Sequence, residues 1–355
     1  MVGSAIVNRL RSGCVIPAHP LALKPNHGID ESRQRALSRY YLAAGSGGLA
    51  VGVHTTQFAI HDAQPGLYRP VLELAAETAR DFSTAENLTH PIMMAGIVGD
   101  TGQSVREAQL ASDLGYHLGL VSLTALRQKS VHELVEHARQ VSEVIPIMGF
   151  YLQQTISNMV LPAEFWARLV EIPNVLALKI APFNRYQTLD VLEAVAHSGR
   201  ASEIALYTGN DDNIIPDLLT QHEFNVEGTK VPIRIVGGLL GQWACWTKKA
   251  VECLAEIKKI REARAAIPQE MLTLASQLTL ANKAIFDADN NFAGCIAGIS
   301  YVLKEQGLLH NTVTLNPRDR LSPGQAFKID RVIRDYPHLT DDEFVGEHLH
   351  KWLEH

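Results

Sequence analysis

No run in this chain approaches the ~20 consecutive apolar residues that a membrane-spanning helix requires, so a membrane-embedded protein is not expected. Basic charge is not in excess either. Thirty-two Lys and Arg stand against 38 Asp and Glu, a formal net charge of −6, which gives no electrostatic footprint for nucleic acid. Cysteine is scarce. Cys14, Cys245, Cys253 and Cys295 are widely spaced with no CxxC pair, so they read as reduced thiols of a cytoplasmic protein. Fifteen histidines include no HExxH or comparable ligand spacing, and no metal site is expected. No GxGxxG follows the first apolar run, which removes the dinucleotide fingerprint. The first dozen residues lack the apolar core and cleavage site of a secretory signal, and no internal repeat or low-complexity segment is visible.

What remains is an ordinary globular composition, 46% hydrophobic and 20% charged over 355 residues, long enough to bury a large core. Short apolar runs alternate with helical periodicity. The runs at 13–18, 49–52, 91–95, 118–123, 145–150, 175–178, 203–207 and 232–236 read as strands, with helical patterns between them. Eight such units in a row predict an α/β fold, a (β/α)8 TIM barrel, over 1–238. From about residue 239 the pattern becomes helical throughout, so 239–355 reads as a helical C-terminal extension. Its one clear irregular linker is 310–323, HNTVTLNPRDRLSP.

Chemistry in such a barrel gathers at the C-terminal ends of the strands. Strand two ends in Gly52-Val-His-Thr-Thr-Gln57, strand five in Tyr151 with Gln153 and Gln154 behind it, and strand six in Lys179. Strand seven leads into Gly209-Asn210-Asp211 and strand eight into Gly237-Gly238. A lysine closing a buried strand must be paired, or lose its proton and become a nucleophile. Tyr151 is expected at the same end of the neighbouring strand.

These pieces resemble the dihydrodipicolinate synthase and N-acetylneuraminate lyase family of class I aldolases. The resemblance runs from Gly13 to Leu309, through GCVIPAHPLAL, GGLAVGVHTTQ, PIMMAGIVGDTGQSVREAQLASDLGYHLGLV, PNVLALKIA and YTGNDD. It rests most on the tyrosine and lysine, Tyr151 and Lys179, 28 positions apart as in that family. It implies that Lys179 attacks the ketone of a 2-oxo acid such as pyruvate. The iminium formed is an electron sink beside which a C–C or C–O bond can form or break. Tyr151 would move the protons. It also implies substrate contacts from Gly52, His54, Thr55, Thr56, Gln153, Asn210 and Gly237, no cofactor, and a homo-oligomer, dimer or tetramer.

The family pattern breaks in places. Its Gly-Thr-Thr-Gly-Glu turn after strand two stands here as Gly52-Val53-His54-Thr55-Thr56-Gln57. Read without a gap, Val53 and His54 replace the hydroxyl residues; read with a two-residue insertion, Thr55 and Thr56 take their places. Thr124-Ala125-Leu126 offers no tyrosine for the relay of the synthase branch, and Thr155-Ile156 replaces its carboxylate-binding arginine. The expectation is therefore a lyase, aldolase or dehydratase of this kind, but not dihydrodipicolinate synthase itself. The alternative is a barrel that binds a small molecule and has lost the chemistry.

Overall fold

Apolar runs too short for helices, flanked by glycine and by capped helices, become strands here. In the computed structural model, which describes residues 3–354, they are β1 (Val15–Pro17), β2 (Gly48–Val51), β3 (Ile92–Ile97), β4 (Leu118–Val121), β5 (Ile147–Leu152), β6 (Val175–Ala181), β7 (Ala205–Thr208), β8 (Gln221–Val226), β9 (Thr229–Arg234) and β10 (Gly237–Leu240). The eight parallel strands, all but β8 and β9, alternate with helices as a (β/α)8 barrel, with further helices at the C-terminal end. The residues group into two compact units. One is Ile92–Leu239 with the N-terminal stretch up to Cys14; the other is Val15–Pro91 with the chain from Leu240 on.

In the first unit β3, β4, β5, β6 and β7 lie side by side in parallel, and β10 follows β7. Nearly every residue of these strands is buried, as expected for parallel strands covered on both faces. The covering helices start on side-chain caps. Ser130 and Glu133 form a reciprocal capping box at Val131–Ser142, and the Asn184 side chain accepts from the Tyr186 and Gln187 N–H groups at Arg185–His197. Arg200 secures the entry to β6. Its guanidinium donates to the carbonyls of Val170 and Ile172 at 2.6 and 2.8 Å, and to those of Pro173 and Val175 at 3.1 and 3.2 Å.

One reading of the sequence needs correction here. The run 232–236 was expected to be the eighth barrel strand. Most of it belongs instead to β9, paired antiparallel with β8 in a hairpin. Glu227 and Gly228 turn that hairpin with φ of 50° and 83°, the doubly positive pattern of a type I′ turn. The barrel strand is the four residues that follow, Gly237–Leu240. The N-terminal residues, assigned no element from sequence, include a helix at Ser4–Ser12. The carbonyl of its Leu10 accepts the Tyr207 hydroxyl at 2.8 Å.

In the second unit β1 and β2 run together, bridged at Ala18 and Ala50. Asp30 caps the helix Glu31–Ala43, its carboxylate accepting from the Arg33 N–H at 3.3 Å. That helix packs against Tyr68–Ala85 and against the last helix, Asp342–Leu353. Buried Asp341 ties this corner together by accepting from the Tyr40 hydroxyl at 2.7 Å, the Lys248 N–H at 3.0 Å and the Gln306 amide at 2.8 Å. The irregular linker serves the same unit, where the Leu315 N–H donates to the Gln57 side chain at 2.6 Å. No helix among the described residues is long and apolar enough to cross a membrane.

Candidate active site

Lys179 sits in β6 with 8% of its surface exposed. Its amine lies 4.3 Å from the centroid of the Phe150 ring, and its stem passes over Gly209. A Cβ on Gly209 would stand 2.7 Å from Lys179 Cε and 2.7 Å from Ala181 Cβ, so the glycine makes room for the lysine. Burial pushes the ammonium down to about 8, and the Asp211 carboxylate pulls the other way. Asp211, itself buried, lies two residues past Gly209.

The expected tyrosine is elsewhere. In the parallel ladder Phe150 pairs with Lys179, and Tyr151 pairs with Ile180. Paired residues share a face and successive residues alternate, so Tyr151 points away from the lysine. Gly149, on the same face as Tyr151, has its missing Cβ aimed at Leu169 and Trp166 of the neighbouring helix. The Tyr151 ring packs on Trp166 with centroids 5.0 Å apart, and its hydroxyl donates to the Leu161 carbonyl at 3.3 Å. Burial pushes that phenol up to about 12. In this structure Tyr151 therefore packs as a buried aromatic against the covering helix.

The cause is one residue. Ile147 pairs with Val175, 28 positions on, and an unbroken ladder would carry Tyr151 to Lys179. Between Ile147 and Met148 the register slips, so that Met148 pairs with Ala177 and Leu176 is left over. A bulge of this kind exchanges the two faces of a strand beyond it. Phe150, which sequence reasoning did not single out, takes the inward place.

Other expected contacts are absorbed by the scaffold. Asn210 is fully buried. Its side-chain carbonyl accepts from the Phe183 N–H at 3.0 Å, and its amide donates to Asp217 at 2.9 Å and to Thr188 at 3.4 Å. Asp217 also accepts from the Thr208 hydroxyl at 2.7 Å and the Asn213 amide at 2.7 Å, and it pairs with Arg185. Arg185, at the start of its helix with 41% of its side chain exposed, is the ion-pair partner of Asp217, and Asn210 knits the loop after β7 to the loop after β6. Gly237 begins β10, and a Cβ there would meet the Cys14 backbone at 2.6 Å and the Tyr207 ring at 2.8 Å. The glycine thus allows close packing of β10 against Cys14 and Tyr207. Gln153 is buried where the short helix Gln154–Ser157 begins, and its backbone carbonyl, not its amide, accepts there.

The turn after β2 belongs to the second unit. Thr55 donates to the Ala18 carbonyl at 2.7 Å. Thr56 donates to the His19 carbonyl at 2.6 Å and accepts from the Gly52 and Val53 N–H groups at 3.0 and 3.2 Å, which fills its capacity. The Gly52 carbonyl bonds His61 at 2.8 Å, so both backbone groups of this glycine serve its own turn. His54 is half-buried, its ring 5.7 Å from that of Phe58. The Thr55 and Thr56 hydroxyl groups thus pin the turn to the end of β1. Among the described residues, no group of three or more His, Cys, Asp and Glu is placed to hold a metal ion.

No sequence-family model matches the chain. A 4-hydroxy-tetrahydrodipicolinate synthase from Symbiobacterium thermophilum is 25% identical over 212 residues. The match covers 58% of this chain and 66% of that enzyme, just under two thirds of its length. Among solved structures, chloride-inhibited dihydrodipicolinate synthase from Acinetobacter baumannii, complexed with pyruvate, superposes with a TM-score of 0.73 at 16% identity. It covers 92% of this chain and 99% of that one. N-acetylneuraminate lyase from Fusobacterium nucleatum superposes with a TM-score of 0.69 at 14% identity, over 92% and 99%. At these identities the structural likeness is one of fold.

Proposed function

We propose that this chain, a member of the dihydrodipicolinate synthase and N-acetylneuraminate lyase family, is a lyase or aldolase that holds a 2-oxo acid such as pyruvate as a Schiff base on Lys179. One observation carries the reading: a buried lysine in β6 whose amine burial pushes down to about 8. At pH 7 a lysine of that pKa is neutral roughly 10% of the time, against roughly 0.03% for one with its ordinary pKa. Only the neutral amine can attack a ketone. Phe150 below the amine contributes an apolar floor and a π face for the cationic iminium.

The reading does not extend to dihydrodipicolinate synthesis itself. Thr124 stands at the end of β4, where the synthase branch would supply a tyrosine, and its hydroxyl lies 3.2 Å from that of Ser122. A small cavity beside Phe150 is lined mainly by apolar groups, from Leu123, Leu152, Met159 and Leu161. These features support a different acceptor.

The experiment is reductive trapping. Incubation with pyruvate and borohydride should add one reduced pyruvyl group to the wild type by intact mass, and none to Lys179→Ala. A wild type that stays unmodified across several 2-oxo acids would sink the proposal. The outward turn of Tyr151 supports a second reading, a barrel that binds 2-oxo acids without turnover. It predicts a trapped adduct with no aldol cleaved, formed or dehydrated.

A further inference from the structure

The loop that follows β5 is fastened back onto that strand at two points. The Tyr151 hydroxyl donates to the Leu161 carbonyl at 3.3 Å. The buried Ser157 hydroxyl lies 3.2 Å from the Leu152 carbonyl and 3.2 Å from the Met159 carbonyl, and it accepts the Met159 N–H at 3.2 Å. Asn158 between them takes a left-handed conformation with φ of 50°, which asparagine tolerates. The loop so held borders a cavity of about 10 Å³, the space of about one water or methyl group. Phe150 and Leu152, on one face of β5, line it together with Leu123 and Thr124 from beyond β4 and Met159 and Leu161 from the loop. The same Phe150 ring has its centroid 4.3 Å from the Lys179 amine. The Ser157 proton is spent within the loop, and the Thr124 hydroxyl lies 3.2 Å from that of Ser122, so the cavity suits an apolar group.

We propose that this cavity is the acceptor subsite beside Lys179, that it takes a methyl-sized apolar substituent, and that Met159 sets that limit. The inference rests on the Schiff-base reading above. An aldol adduct joined to Lys179 through C2 carries the acceptor's carbons from C4 onward, and C4 lies three bonds from the lysine nitrogen. The Phe150 ring both neighbours that nitrogen and lines the cavity, so a substituent on C4 can pass along the ring into it. The acceptor class is therefore a short aliphatic aldehyde whose methyl group fills the space. A hydroxyl, amide or charged substituent would be buried there without partners. Met159 is unbranched and sits half-buried on a loop outside the strands, so truncating it opens the cavity without touching the β-ladder. Ser157 acts through Met159 as a positioning residue.

The test is borohydride trapping of three 2-oxo acids. They are pyruvate, 2-oxopentanoate, whose last methyl group stands for the acceptor's substituent, and 2-oxoheptanoate, two methylenes longer. Each is followed in wild type, Met159→Ala, Met159→Leu and Ser157→Ala, with thermal melts to verify folding. The readout is the rate for 2-oxopentanoate divided by that for 2-oxoheptanoate, a ratio that a general loss of stability does not move. A methylene without room in an apolar pocket is worth about 10-fold or more, so the wild-type ratio should be ~10 or above. Met159→Ala should lower the ratio by ~10-fold, Ser157→Ala should lower it too, and Met159→Leu should keep it. A wild type that traps pyruvate but takes the two longer acids equally, or takes neither, would overturn the subsite and leave the Lys179 reading intact. So would a folded Met159→Ala or Ser157→Ala with the wild-type ratio. A wild type that traps none of the three would overturn both.

Discussion

Replacing Gly209 by alanine is the sharpest probe of the packing that seats Lys179. No positive φ is involved, so the backbone tolerates alanine and the effect is steric. The new Cβ would stand 2.7 Å from Ala181 Cβ and 2.7 Å from Lys179 Cε. Carbon atoms in contact prefer about 3.5–4.0 Å, so about 1 Å must be found on each side. The lysine stem can rotate to provide it. The Ala181 Cβ is fixed to a buried strand and cannot. Overpacking of this kind costs about 1–3 kcal/mol. A lysine displaced by about 1 Å should react about 100-fold more slowly, since misplacement of a reacting group by that distance costs about that factor. Two measurements check this: the thermal midpoint and the rate of borohydride-trapped pyruvyl adduct. The control is Gly346→Ala, at an exposed helical site with nothing within 4 Å of the new Cβ, which should be neutral or slightly stabilising. A Gly209→Ala protein with both the wild-type midpoint and the wild-type trapping rate would refute the seating of Lys179 against Gly209.

Asp217→Ala should destabilise the fold by about 3 kcal/mol or more, because it strips the acceptor from three side-chain donors and the partner from Arg185. Urea unfolding measures this, and a loss below about 1 kcal/mol would contradict the network. His19 is fully buried and bonded to Ser38 and the Pro20 carbonyl, and burial pushes its imidazole down to about 4. The unfolded chain takes up that proton near pH 6.5 while the folded one resists it. The stability is therefore full above about 6.5 and is lost as pH falls toward 4, by up to about 3 kcal/mol. An NMR titration showing His19 charged at pH 6 would contradict this.

Much of the scaffold is legible in the chain itself. Apolar runs ending in Gly, Lys or Thr mark the strands of the barrel, and residues such as Asp30 mark helix starts, because periodicity and caps are local properties. Lys179 could be picked out because a charge closing an apolar run is expensive wherever it folds. The hairpin was misread because Pro232 to Val236 is apolar enough for a barrel strand. Only its pairing with Gln221–Val226 across Glu227-Gly228 shows otherwise.

The tertiary structure decided which side chain meets the lysine. From sequence, the 28-residue spacing favours Tyr151, and pairing of Ile147 with Val175 agrees. A single unpaired residue, Leu176, then reverses the alternation, so Phe150 turns inward and Tyr151 outward. Nothing local marks that slip, since both strands stay apolar on either side of it. Asn210 shows the same limit. Its position beside the lysine is written in the chain, but its saturation by Phe183, Thr188 and Asp217 depends on loops up to 27 residues away. Residue type and order thus set most of the strands and the buried lysine, while register, a relation between two strands, chose the lysine's neighbours.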